Sequence, residues 1–272
     1  MNRIECAGGR MSTFIAITGK GGTGKTTIAS LLVRQLIGRG CGPVLAVDAD
    51  PNTCLDAALG VSAAHTLGRA REETRDLASK GLAAGMAKQE LLELKIAGCL
   101  VEADNFDLIA MGRPEGPGCY CYANNILKEV LAGISSQYPS VVLDNEAGLE
   151  NLSRRIVQKV DLMIFVADPS SQGVKTVLRL YELAREMGVQ YRNLAVIVNR
   201  IPSGVDGTPF DALKEATRAD WVVGLPEDDE IAALGRAGKG LWPLSAKNPV
   251  GERLDGLLSA AGISGRIMEV PQ

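Results

Sequence analysis

The stretch Thr13-Phe14-Ile15-Ala16-Ile17-Thr18, followed by Gly19-Lys20-Gly21-Gly22-Thr23-Gly24-Lys25-Thr26-Thr27, decides the reading of the whole chain. A short run of apolar and β-branched residues stops at a glycine-rich turn, and the turn gives way to a helical pattern over residues 25–37. The turn fits GxxxxGK followed by Ser or Thr, in the strand-before, helix-after setting that the motif requires. Its glycines let successive backbone N–H groups turn inward onto phosphate oxygens, and the helix adds the positive end of its dipole. Gly21, Gly22, Thr23, Gly24, Lys25, Thr26 and Thr27 are therefore assigned to a nucleotide's phosphates. Lys25 is expected to reach the β- and γ-phosphates, and the Thr26 hydroxyl to ligate Mg²⁺.

Outward from this loop the same alternation repeats. Residues 43–47, 107–111, 140–143, 161–166, 194–198 and 221–224 read as further strands, and few charges interrupt them. Helical patterns fill 69–95 (broken near Gly81–Gly85), 123–137, 151–158, 173–187, 209–217, 228–237 and 250–261. Continuous apolar strands alternating with helices predict one doubly wound, mostly parallel α/β sheet with helices on both faces. No linker, internal repeat or low-complexity stretch divides the chain, so residues 11–272 are expected to form one domain, with 1–10 as a frayed extension.

Composition removes several function classes. The 272 residues carry 29 Lys and Arg against 32 Asp and Glu, a net charge of -3, and aromatics are only 4%. Nucleic-acid binding by charge or by base stacking is disfavoured. There is one histidine, His65, which excludes two-histidine zinc chemistry such as HExxH hydrolysis. Six cysteines are too few for a disulfide scaffold of this length. The first residues lack the apolar core of a signal peptide, and no apolar run is long enough to span a bilayer, so a cytoplasmic location is expected.

Two strands end in carboxylates. The run at 43–47 leads into Asp48-Ala49-Asp50-Pro51-Asn52, and 140–143 into Asp144-Asn145-Glu146-Ala147-Gly148. An apolar strand ending in Asp is the Walker B pattern, and Asp144 is expected to hold Mg²⁺ through water. Carboxyl ends of strands border the crevice where open α/β sheets bind ligands, although Asp and Pro also favour plain turns. The strand at 194–198 ends in Asn199-Arg200-Ile201-Pro202. A side-chain amide can pair with N6 and N7 of adenine, and Pro202 stands where a guanine reader would place Asp, so ATP is favoured over GTP. A turn role for Asn199 competes with this. Leu225-Pro226-Glu227-Asp228 is expected to close over the base.

Lys20 narrows the reading. A second lysine inside the loop, in GKGGTGKTT, resembles the deviant phosphate loop of the dimeric P-loop ATPases, the class of the nitrogenase iron protein, the arsenical-pump ATPase and MinD/ParA. The resemblance implies that Lys20 crosses a dimer interface to the partner's nucleotide. It implies that Asp50 orients or deprotonates the attacking water, with Asp48 nearer the Mg²⁺ shell. It also implies that the Gly148 N–H meets the γ-phosphate in a loop that switches with hydrolysis.

Gly112-Arg113-Pro114-Glu115-Gly116-Pro117-Gly118-Cys119-Tyr120-Cys121-Tyr122 places two cysteines at i and i+2 where a Gly/Pro loop meets a helix. A helix N-terminus favours thiolates. Two thiolates do not complete a four-coordinate soft site, whereas four in a two-fold dimer do. Two small buried hydrophobes are the competing reading. GPGCYCYANN together with LDNEAGLENLSRR resembles the CO dehydrogenase maturation ATPases of the CooC family, and equally their relatives that act on acetyl-CoA synthase. That resemblance implies an ATPase with Mg²⁺ that dimerises with nucleotide, binds Ni²⁺ or Zn²⁺ through Cys119 and Cys121 of both subunits, and assists nickel insertion into a client enzyme. Two alternatives stand beside it. One is an iron–sulfur carrier, disfavoured by the adjacent cysteines. The other is a MinD/ParA-like spatial organiser, disfavoured by a C-terminal tail without a lysine-rich face.

The remaining candidates read as less informative. Cys6, Cys41, Cys54 and Cys99 have no paired spacing and read as packing or incidental residues, and His65 as solvated. Arg154 and Arg155 follow the Gly148 loop and are candidates for coupling it to a partner, or simply a surface helix face.

Overall fold

The computed structural model describes residues 4–6, 12–79, 88–113, 119–146, 160–204 and 210–265. The strands are β1 (Ile4–Cys6), β2 (Thr13–Gly19), β3 (Val44–Ala49), β4 (Val101–Glu102), β5 (Phe106–Ala110), β6 (Ser140–Asn145), β7 (Val160–Ala167), β8 (Tyr191–Ile201), β9 (Trp221–Pro226) and β10 (Ile263–Gly265). The described helices are α1 (Lys25–Gly38), α2 (Leu55–Leu59), α3 (Leu67–Ser79), α4 (Lys88–Ala97), α5 (Cys119–Ile134), α6 (Ser171–Glu186), α7 (Phe210–Thr217), α8 (Asp229–Arg236) and α9 (Pro249–Ala260).

Eight strands form one sheet in the order β4-β5-β3-β6-β2-β7-β8-β9. Only the β4–β5 pair is antiparallel; the others are parallel. The mostly parallel sheet expected from the sequence is the one observed. Its strands are buried on both faces: β2, β3 and β6 have no exposed residue. Successive side chains point to opposite faces. Ile15 and Ile17 of β2 pack with Ile28, Leu32 and Leu36 of α1, Leu55 of α2 and Leu254 of α9. Phe14 and Ala16 join the opposite core, with Leu67 of α3, Leu127 of α5, Val177 of α6 and Leu213 of α7.

Elements too short or too polar to show periodicity were not expected from the sequence: α2, β4, and the parallel pair of β1 with β10. That pair gives Ile4–Cys6 a partner inside the stretch read as a frayed extension. The helix pattern at 151–158 lies outside the described residues, and the break expected near Gly81–Gly85 falls in the undescribed gap between α3 and α4. The central strand β2 lies between β6 and β7, with β3 beyond β6 and β8 beyond β7. Chain order thus changes direction at β2, and a crevice at the carboxyl ends of such strands is where α/β sheets take ligands.

Candidate functional site

The phosphate loop leaves β2 against β7 with no space to spare. A Cβ on Gly19 would stand 2.2 Å from the Val166 carbonyl oxygen. The loop then closes on the Lys20 carbonyl, which accepts from Thr23 Oγ1 (2.8 Å), Thr23 N (3.4 Å) and the buried Lys25 Nζ (3.3 Å). The Lys20 side chain itself is exposed, as are Gly21 and Gly22, while Thr26 and Thr27 stand half-buried at the start of α1. Gly24 sits at φ +92°, a left-handed conformation, and a Cβ there would meet Asn199 Nδ2 at 2.4 Å.

Asn199 and Arg200 brace this loop, a role beside the adenine contact and the turn role that the sequence offered for Asn199. Asn199, buried at the end of β8, donates from Nδ2 to the Thr23 carbonyl at 2.8 Å. Arg200 donates from Nη1 to the Gly22 carbonyl at 3.1 Å. Carbonyl and following N–H point oppositely across a trans peptide, so holding the Thr23 carbonyl fixes the direction of the Gly24 N–H. The pairing of β8 with β9 shifts register between Val198 and Ile201, and Arg200 takes φ 58° within that irregularity. No sequence signal distinguished a brace from a base reader; the distinction lies in where the β8 end stands relative to the loop.

The two carboxylate strands are neighbours in register, with Asp48 opposite Asp144. Asp48 is fully buried, and three backbone N–H groups close on it: Asp50 (3.0 Å), Cys54 (2.9 Å) and Leu55 (2.9 Å). Burial pushes its carboxyl up to about 6 despite those donors. Asp48 thus organises the turn that carries Asp50 and stands opposite Asp144 in the sheet. Asp50 is only half-buried, and its Oδ1 accepts from Asn52 N and Nδ2, both at 2.9 Å.

Asp144 is 1% exposed. Burial pushes its carboxyl up to about 7; the Thr26 hydroxyl and Lys25 pull it down, while the charges of Asp48 and Asp50 push it further up. Its Oδ1 is buried without a hydrogen-bond partner. A buried carboxylate oxygen left unpaired beside a threonine hydroxyl fits a hard divalent cation, which takes oxygen ligands. Thr26 and Asp144 are the residues that would hold Mg²⁺.

Thr27, Asn199, Arg200 and Pro226 come together on a cavity of about 400 Å³, walled also by Ile28 and Leu31 of α1, Glu227 and Asp228, Ile231 of α8 and Val250 of α9. Of the residues 225–228 expected to close over a base, Pro226, Glu227 and Asp228 line this cavity. Cys119 and Cys121 occupy the first turn of α5, a helix N-terminus as expected. Gly148, Arg154 and Arg155 lie outside the described residues. Among the described residues no three His, Cys, Asp or Glu side chains converge on one metal. Cys41 and Cys99 are buried, and His65 is exposed, as the sequence suggested. Among the described residues no helix is long and apolar enough to cross a membrane.

A mostly parallel sheet with a glycine loop at its central strand and paired carboxylates beside it defines a nucleotide-binding P-loop protein. Comparison with known proteins agrees: residues 14–241 match the CobQ/CobB/MinD/ParA nucleotide binding domain, and the chain belongs to that family. It is 39% identical over 242 residues to an uncharacterized ATP-binding protein of Methanocaldococcus jannaschii, covering 89% of this chain and 95% of that one. It is 32% identical over 243 residues to the carbon monoxide dehydrogenase accessory protein CooC of Rhodospirillum rubrum, covering 85% of this chain and 90% of CooC. The fold is similar to the septum site-determining protein MinD of Pyrococcus horikoshii complexed with Mg-ADP, with a TM-score of 0.64 and 21% identity over 92% of this chain and 96% of MinD. It is also similar to a ParA family ATPase of Chlorobium tepidum, with a TM-score of 0.67 and 17% identity over 90% and 97%.

Proposed function

We propose that this chain, acting as one domain over residues 11–272 in the cytoplasm, is an ATP-hydrolysing maturation factor that assists nickel insertion into CO dehydrogenase or acetyl-CoA synthase. The observation that carries the reading is the pair Cys119 and Cys121 on the first turn of α5, in a chain 32% identical to CooC. Likeness to MinD and ParA at 17–21% identity shows the fold and supports no more than that.

ATP lies along the crevice, with its base in the cavity between α1 and α8 and its triphosphate in the Gly19–Thr27 loop. Lys25 turns from the Lys20 carbonyl to the β- and γ-phosphates. Thr26 and Asp144 would hold Mg²⁺, which would supply positive charge to offset the charge developing on the phosphate. Asp48 fixes the turn that presents Asp50 to the attacking water, and its charge would add to that of Asp144 toward the cation. The water oxygen bonds to the γ-phosphorus, its proton passes toward Asp50, the bond to the β–γ bridging oxygen breaks, and ADP leaves. Lys20, exposed on the loop, reaches the nucleotide of a second copy, and the Gly148 N–H meets the γ-phosphate. Closing the homodimer brings four cysteines together, enough thiolates for one Ni²⁺ or Zn²⁺ as cargo.

Two measurements test this. Asp50→Ala is expected to bind ATP and fail to cleave it; near-normal turnover would remove the role given to Asp50. Equilibrium dialysis with Ni²⁺ or Zn²⁺ is expected to give one metal per dimer, lost in Cys119→Ala and Cys121→Ala with ATP binding retained. Full-affinity metal binding by either cysteine variant would end the shared-site reading.

A further inference from the structure

The base cavity and the Asp50 turn belong to different parts of the chain, yet one segment grips both. Residues 239–248 run irregularly from the end of α8 to the start of α9. At one end they hold the cavity wall. Asn248 donates from Nδ2 to Asp228 Oδ2 (2.9 Å) and to Glu230 Oε2 (3.3 Å), and Ser245 N donates to Glu230 Oε1 (2.8 Å). Asp228 caps α8 through the Ile231 N–H (2.9 Å), and Asn248 caps α9 through Val250 N (3.0 Å) and Gly251 N (3.2 Å). Asp228, Ile231 and Val250 all line the cavity.

At its other end the segment holds α2. Leu241 N donates to the Ala58 carbonyl (3.0 Å), and Trp242 Nε1 to the Leu59 carbonyl (2.6 Å). The indole stacks on Phe106 with ring centroids 5.4 Å apart. A Cβ on Gly240 would stand 2.7 Å from Gly60 N, so the two backbones touch. The last carbonyls of a helix need partners from elsewhere, and a helix as short as α2 takes its placement from them. The start of α2 is the Leu55 N–H on Asp48, the carboxylate that also holds the Asp50 N–H.

We propose that residues 239–248 are a strap, anchored by Trp242, which transmits occupancy of the base cavity to the position of Asp50. A nucleotide that draws α8 and α9 together shifts Asn248 and Ser245, the strap moves with them, and α2 carries the shift to the Asp48–Asp50 turn. Trp242 is a positioning residue, because it acts on the water only through α2, Asp48 and Asp50. The proposal rests on the role given above to Asp50.

Trp242→Phe keeps an aromatic ring on Phe106 and removes the indole N–H. One hydrogen bond's net worth is about a five-fold effect, so kcat is expected to fall about five-fold while calorimetric ATP affinity stays within about two-fold. A merely structural role would lower both together. The chain has two tryptophans, so Trp221→Phe leaves Trp242 as the sole indole. In that variant ADP is expected to shift the emission and inorganic triphosphate to leave it unchanged. Wild-type kcat in Trp242→Phe, or an emission that ignores ADP or answers both ligands alike, would overturn the strap. The emission experiment does not use hydrolysis, so it judges the strap even if Asp50→Ala keeps turning over and the catalytic reading falls.

Discussion

The two ends of the crevice are built on different principles. At the phosphate end, polar atoms are held by backbone before any ligand arrives: three N–H groups on Asp48, three donors on the Lys20 carbonyl, and side-chain donors on the Gly22 and Thr23 carbonyls. At the end proposed for the base, apolar side chains from α1, α8 and α9 share the walls of an open cavity with Thr27, Asn199, Arg200, Glu227, Asp228 and Asp229. Charge recognition needs fixed dipoles, because reorganising them at each binding event costs affinity. An aromatic base needs surface to cover it, and several arrangements provide that. Substitutions at the phosphate end should therefore act on any ligand with a triphosphate, and substitutions at the base end on nucleotides alone.

The largest expected effect separates the ends most sharply. Lys25→Ala removes a buried ammonium that donates to its own loop, and whose bonds to phosphate would be charge-assisted. Hydrogen bonds to charged groups contribute about 1.5–3 kcal/mol each, so affinity for ATP and for inorganic triphosphate should both fall about 100-fold. Titration calorimetry would show this; a variant that lost ATP but kept triphosphate would reverse the assignment of the two ends.

Next comes the pH dependence of the metal-free chain. Burial raises Asp144 from 3.8 to about 7 and Asp48 from 3.8 to about 6. From about pH 4 to pH 7 the folded state keeps protons that the unfolded chain has released, so this contribution to stability is full at low pH and is lost as pH rises through the window. In EDTA, the melting temperature of wild type relative to Asp144→Asn should fall by on the order of 5 °C between about pH 4.5 and 7.5. Parallel melting curves would mean that the carboxylate is compensated without metal.

Asn199→Ala has a smaller effect but tells more. As a brace on Thr23 it serves the phosphate end; as an adenine reader it would serve the base end. The structure favours the brace, so affinity should drop about ten-fold for ATP and for triphosphate alike, the order expected from losing one well-made buried bond and its geometry. Unchanged triphosphate binding would restore Asn199 to the base.

The same contrast explains what the sequence disclosed. The phosphate loop lies in one contiguous stretch, Gly19–Thr27, and each carboxylate follows directly on a strand, so spacing alone exposed them. Alternation of apolar runs and helical periods was enough for the sheet. The cavity proposed for the base draws on Thr27, Asn199, Pro226 and Val250, which share no local pattern. The α2 helix is five residues long and is held by bonds to Ser30, Leu241 and Trp242 rather than by its own periodicity. The three backbone N–H groups that close on Asp48 come from Asp50, Cys54 and Leu55, and a strand-end carboxylate in sequence does not show which groups its oxygens meet.

The smallest effect concerns Arg200, where the ends meet. Its guanidinium touches the Gly22 carbonyl at 3.1 Å, its side chain lines the base cavity, and its backbone takes φ 58°. A non-glycine residue there costs on the order of 1 kcal/mol, about what one exposed hydrogen bond returns. Arg200→Gly gives up the bond and the strain together, so the melting temperature should stay within about 2 °C of wild type. Arg200→Ala gives up the bond and keeps the strain, and should melt lower by about 3 °C. Both lose the same contacts to ligand, so both should weaken ATP by a similar factor of about three. Equal melting temperatures in the two variants would show that the left-handed backbone stores nothing. A gap in melting with equal ATP affinity would show that the bulge in β8 is held against strain in order to aim Arg200 at the loop.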